Sequence, residues 1–348
     1  MSPALSISHD HHIFQETSLL RKRIPLFYHE KETPGRLRKR GQVQMGKNKF
    51  LKLRQFFYPL WVIGVFSFLY LCNQLLLVFL AGLCTHLLKL PWKLQELNPS
   101  APRPFFFFNL FFGLIPLLLA FFTAEKFIFR ERVLPRFFPS SPRARQDLLF
   151  GLSLGFSLFA LLFLAFAGLG WLRVIQEPVF AFPTLFWVAL TFLVSALFEE
   201  LFFRGLHLPV LTAHWGLAPG IAFSALLFSL AHLNNPHLKF LGLFGILMAG
   251  VLFALAYIVT GALYLPLALH FSWNFFQSFF GFAVSGFAFP SIFQLEVTGP
   301  ELWTGGAFGP EAGCSGLFLL VLAIGATLLY GRHRQPPTTT NPTGKSRP

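Results

Sequence analysis

Apolar runs of bilayer-spanning length dominate this sequence and leave few folds open to it. Eight can be read, at roughly 57–84, 105–122, 148–170, 184–204, 217–233, 240–259, 263–283 and 312–330. A helix that crosses the hydrocarbon core needs about 20 apolar residues. The fifth run is short for this, and the first is long enough to tilt. Composition agrees: 54% of residues are hydrophobic and 12% charged, against about 25% charged in a soluble domain. The expected fold is all-α, a polytopic transmembrane helix bundle of about eight spans. No internal repeat is visible, so a duplicated-transporter architecture has no support.

A formal charge of +14 raises nucleic acid as a partner, but the placement of the charges points elsewhere. With a cytoplasmic N-terminus and eight spans, 23 of the 28 Lys and Arg fall on inside segments and 5 on outside ones. This is a positive-inside pattern, with both termini cytoplasmic. The basic tail is then expected to meet anionic lipid headgroups, and no nucleic acid is expected. The first 55 residues have no apolar core behind a basic start, so the first span is expected to stay as an uncleaved anchor. The expected organisation is a basic, polar, mobile tail at 1–55, a transmembrane domain at 56–331 and a polar tail at 332–348. Residues 1–44 are read as a dispensable tail or an overlong start.

Several features carry no chemistry on this reading. Cys72, Cys84 and Cys314 stand in or beside spans with no metal-ligand spacing. His9, Asp10, His11 and His12 fall in the tail and receive no role. Gly151 and Gly155 form a small-xxx-small pair, read as close helix packing. Segments 89–104 and 285–311 read as outside loops, and 123–147 as a basic cytoplasmic connector.

Ionisable side chains inside spans are rare and mark functional sites by default. Here they are Glu199, Glu200, Arg204, His232 and His270, with His86 near the end of the first run. Glu200 and Arg204 are four apart and can pair on one helix face. Glu199 is rotated about 100° from Glu200, which leaves it free to face a cavity. It is the candidate base, and Glu200 the supporting residue. A chain reversal near 215–216 sets Glu199 and His232 at the same depth, each about 24 Å from the turn. The fifth run then reaches only part-way across, and Asn234, Asn235 and Pro236 line a wet cavity. His270 and Asn274 share a face of the seventh run, with His270 about 10 Å in from Leu263 on the expected cytoplasmic side. Taken singly, each residue has a structural reading: an ion pair for Glu200 and Arg204, interhelical hydrogen bonding for a histidine or asparagine. Taken together they supply a carboxylate, two imidazoles and an amide on neighbouring helices.

The ordered motifs Glu199-Glu200-x-x-x-Arg204, Phe228-x-x-x-His232 and His270-x-x-x-Asn274 resemble those of the CPBP family, the CAAX proteases and bacteriocin-processing enzymes, also called the Abi family. The resemblance covers roughly 184–285. It implies an intramembrane endopeptidase similar to the type II CAAX prenyl endopeptidases, which release the last three residues after a prenylated Cys. It further implies that Glu199 activates water with His232 assisting, and that His270 and Asn274 bind the water or stabilise an oxyanion. Arg204 would pair with Glu200 or hold the geometry. Two chemistries fit the same residues. Either no cofactor is needed, or Glu199, His232 and His270 hold a divalent metal such as zinc, since the family is often labelled as metalloproteases. No His-Glu-x-x-His helix is present to support the metal, and metal-free chemistry is preferred. The expected partners are membrane lipids and a peptide or protein substrate, lipidated or plain. The expected location is a multi-pass membrane protein, in the plasma membrane if prokaryotic, with its site toward the cytoplasm. The alternative is a non-catalytic scaffold or immunity protein on the same fold.

Overall fold

The computed structural model describes residues 44–88, 102–130, 132–176 and 181–334. His9–His12, most of segment 89–104 and the tail beyond residue 334 lie outside the described residues. The principal elements are α1 (Gln44–Leu88), α2 (Pro102–Phe129), α3 (Ala144–Gly168), β1 (Leu172–Gln176), α4 (Phe182–Trp215), α5 (Leu217–Leu230), α6 (Phe240–Thr260), α7 (Tyr264–Phe279), β2 (Gln294–Val297) and α8 (Cys314–His333). The molecule is an all-α polytopic bundle, and each of the eight apolar runs forms a helix. Six of these, among the described residues, are long and apolar enough to cross a membrane. The exceptions are α5, with 14 residues, and α7, with 16. The outer faces are apolar, as lipid requires: Phe68, Leu75 and Phe79 of α1 are exposed.

Two boundaries differ from the sequence reading. The first helix begins at Gln44, inside the segment read as a mobile tail. Between Gly46 and Pro59 the chain is mostly Lys, Leu, Phe, Arg and Gln, with no breaker to stop the helix there. Segment 285–311 is also more ordered than a loop. Its β2 pairs antiparallel with β1, with Leu172 opposite Val297 and Arg173 opposite Glu296.

Glycines set the closest helix contacts. A Cβ on Gly155 would lie 2.2 Å from Ser272 Oγ, and one on Gly151 2.7 Å from Ala268 Cβ. The small-xxx-small face of α3 therefore seats α7, and Ser272 Oγ donates across the contact to the Gly151 carbonyl at 2.8 Å. On α6, Gly250 meets Ala225 of α5 in the same way. Gly216 separates α4 from α5 with φ of 94°, at the position where the sequence places the reversal.

Contacts at the two ends of the bundle tie the connecting segments to one another. At one end Leu263 N–H donates to Phe137 O at 2.9 Å and Tyr264 Oη to Pro139 O at 3.2 Å, and Asp147 accepts from Tyr330 and Arg334 at 2.8 Å each. At the other end lie the β-ribbon and the Lys239–Glu301 ion pair.

Candidate active site

Helix α4 carries Ser195, Glu199, Glu200 and Arg204. The helix widens to π-helical hydrogen bonding over Leu201–His207, immediately after the two carboxylates. Such widening is rare in helices and frequent at functional sites. Arg204 is fully buried. Its Nη1 donates to Glu200 Oε1 at 2.9 Å and its Nη2 to the Gly250 carbonyl at 3.0 Å. The guanidinium also lies 4.4 Å from the ring centroid of Phe228 and 5.3 Å from that of Phe253. A cation at this depth is tolerable because carboxylate, carbonyl and aromatic faces replace its water.

The same oxygen of Glu200 lies 2.8 Å from His270 Nδ1. His232 Nδ1 lies 2.8 Å from the Phe228 carbonyl. Both partners can only accept, so each imidazole donates from Nδ1, and a neutral ring presents a bare Nε2. The two Nε2 atoms point at one place. Glu199 Oε2 lies 3.7 Å from that of His232 and 3.8 Å from that of His270. Glu199 Oε1 accepts from Ser195 Oγ at 3.2 Å, whereas Oε2 is buried with no hydrogen-bond partner. Glu199 and His232 are thus level, as their equal distances from Gly216 require. His232 itself stands in the turn just after α5.

The separations bear on a metal. Two imidazoles and a carboxylate are donor types that zinc accepts, and Oε2 is an orphan. In a tetrahedral site with bonds of about 2.0–2.1 Å the ligand atoms stand about 3.3 Å apart, closer than here. Among the described residues no group of three or more His, Cys, Asp and Glu is arranged to hold a metal ion. The residues as they stand do not fit a metal. A water bridging Oε2 and either Nε2 by ordinary hydrogen bonds fits the span.

The cluster opens on a cavity of about 450 Å³ whose lining includes Glu199, His232, His270 and Asn274. The Asn274 side chain is half-buried one turn beyond His270 and faces this space. Asn235 lines it too; of the expected wet turn, Asn234 is exposed and Pro236 stands outside the lining. The other walls are chiefly aromatic, with Phe105 and Phe108 on α2, Phe192 and Phe198 on α4, and Phe287 and Phe289 beyond α7. Tyr70, midway along the Phe56–Cys84 stretch of α1, also lines the cavity and packs on Phe198. The site therefore lies beside the midpoint of that stretch. Its walls continue toward the ribbon end of the bundle, the end that the charge count places outside.

Sequence reasoning also passed over Glu311, which falls in the segment 285–311 read as an outside loop. Glu311 is buried and lines the cavity. It accepts from Trp273 Nε1 at 3.1 Å, Ser285 N–H at 2.8 Å and Ser285 Oγ at 2.7 Å. Burial pushes its carboxyl above the usual range, and the bonds from Ser285 and Trp273 oppose that rise.

The fold and the cluster define a class first: a multi-pass integral membrane protein with a carboxylate–imidazole site buried among its helices. A comparison with known families matches part of the chain. Residues 180–276 match the family model described as Rce1-like, type II CAAX prenyl endopeptidase Rce1-like. All three motifs lie in that segment, so the resemblance drawn from them is borne out there, and the family is one of membrane peptide hydrolases. Neither a curated protein nor a solved structure matches the chain.

Proposed function

We propose that the protein is an intramembrane endopeptidase that hydrolyses a peptide bond near a membrane-associated or lipidated C-terminus, in CAAX-type processing. One observation carries the reading. Glu199 Oε2 is buried, unpartnered and set between two imidazole nitrogens that are free to accept.

A water held there gives one proton to Glu199 and directs the other at the Nε2 of His232 or His270. Its oxygen attacks the scissile carbonyl carbon and forms a tetrahedral intermediate. The Asn274 amide is the donor available to the oxyanion, and such donors contribute about 3–4 kcal/mol in a water-excluded site. Collapse breaks the C–N bond, and the proton held by Glu199 passes to the leaving amine. Glu200 takes no proton; it holds His270 through Nδ1 and offsets Arg204. The aromatic walls suit an apolar or lipid-bearing segment, which would enter without desolvating polar groups.

The test is cleavage of a quenched fluorescent peptide library, lipidated and plain, by purified protein in detergent. Wild type and Glu199→Gln are run side by side, with and without a zinc chelator. Cleavage by wild type alone, insensitive to the chelator, is the expected result. Cleavage by both proteins would remove Glu199 from the mechanism, and chelator-sensitive cleavage would restore the metal.

A further inference from the structure

Residues Val284–Phe287 form a tight turn whose two ends exchange backbone hydrogen bonds, Val284 N–H to Phe287 O and Phe287 N–H to Val284 O, each at 2.9 Å. Both central residues have positive φ, 49° at Ser285 and 90° at Gly286. Positive φ is ordinary for glycine and uncommon for serine, and it persists where surrounding bonds fix it. Ser285 has three such bonds. Glu311 takes its N–H and its hydroxyl, and Asn235 Nδ2 donates to its carbonyl at 3.0 Å. Gly286 lies so close to the turn after His232 that a Cβ there would stand 2.0 Å from Pro236 O. The turn is thus pressed onto the segment that follows His232. Through Trp273, the remaining bond of Glu311 reaches the helix that carries His270 and Asn274.

We propose that Glu311, which lies outside the segment matched by the family model, is a positioning residue: it fixes the 284–287 turn as the cavity wall beside His232 and so sets how tightly substrate is held. This rests on the endopeptidase reading above. Glu311 makes its bonds to the wall and to Trp273, and none to the water-binding nitrogens. Loosening it therefore acts on substrate binding before it acts on bond cleavage.

The experiment uses the full chain in detergent, with native cysteines replaced and a cysteine introduced at Ala249, a half-buried cavity residue on α6. Glu311→Gln keeps the shape but leaves one carbonyl oxygen for three donors, so a buried N–H loses its partner. Asn235→Ala and Ser285→Ala weaken the same turn and carry the test if Glu311→Gln does not fold. The expected result is a KM raised about fivefold or more with kcat within about twofold, the pattern of lost ground-state binding. Maleimide labelling of the Ala249→Cys probe is expected to speed up severalfold in the same variants. Lys239→Ala, which breaks an exposed ion pair to Glu301, should change neither readout.

A fall in kcat with KM unchanged would overturn the proposal by placing Glu311 on the reacting groups. Unchanged kinetics and unchanged labelling in folded variants would overturn it as well. Should wild type cleave nothing, the endopeptidase reading fails while labelling still decides whether Glu311 holds the wall.

Discussion

His270 Nδ1 lies 2.8 Å from Glu200 Oε1, and this bond decides what the neighbouring carboxylate meets. Because Glu200 can only accept, His270 turns its bare Nε2 toward Glu199. Two adjacent glutamates therefore do different things. Glu200 is committed to Arg204 and His270, while Glu199 keeps one oxygen without a protein partner.

That division predicts the outcome of Glu199→Gln. The amide preserves shape and removes the base. Because Oε2 makes no protein hydrogen bond, the change should not lower the unfolding midpoint. Peptide hydrolysis should fall by about 10²–10⁴, the range attributed to a general base. A thermal unfolding scan beside the peptide assay reads both. Substantial residual hydrolysis would move the base elsewhere.

Arg204→Met should behave in the opposite way. It leaves Glu200 as a buried charge whose main counterion is gone. Removing one partner of a buried pair costs about 3–5 kcal/mol. The expected result is low yield of folded protein and a strongly lowered unfolding midpoint, with activity lost through instability. Glu200→Gln together with Arg204→Met should recover part of the stability, because neither charge is then left unpaired. A double-mutant cycle on unfolding free energy measures this coupling. Additive losses would mean that the pair contributes little to holding the helices together.

Gly155→Ala tests the seat of α7. Its Cβ would stand 2.2 Å from Ser272 Oγ and 2.9 Å from the Ser272 backbone carbon, so the helices must part. Overpacking of this kind costs about 1–3 kcal/mol. His270 and Asn274 ride on α7, so hydrolysis should fall as well, with kcat reduced. An unchanged unfolding midpoint would show that α3 yields without moving α7.

Much of this was legible before any coordinates. The helices follow from apolar runs in a chain with few charges, since lipid admits few other solutions. The Glu200–Arg204 pair follows from a spacing of four, and the levelling of Glu199 with His232 from equal distances to Gly216. The missing parts are those that neither period nor local spacing encodes. The π-helical stretch after Glu200 has no composition of its own. The bond from Glu200 to His270 joins residues 70 apart in sequence. Strand β1 continues an apolar run and found its partner only across the bundle. Glu311 is one of three acids in its segment, and only tertiary burial separates it from Glu296 and Glu301.

The sidedness of the site is the last prediction. The cavity walls run toward the ribbon end, and the charge count puts that end outside. Single cysteines at Glu296 in the ribbon and at His333 near the opposite end of the bundle are both exposed. On a background without native cysteines, a membrane-impermeant maleimide applied to intact cells should label Glu296→Cys and spare His333→Cys until the membrane is opened. The cavity would then face away from the cytoplasm, and a substrate would reach it from the outer side or laterally from the bilayer. The reverse labelling would turn the cavity toward the cytoplasm, where a lipidated C-terminus could enter directly. It would also mean that the basic N-terminal tail, with 12 of the 28 Lys and Arg, does not set the orientation. In that case the positive-inside count fails here, and the packing of α4 through α8 around Glu199 is the better guide to which side is served.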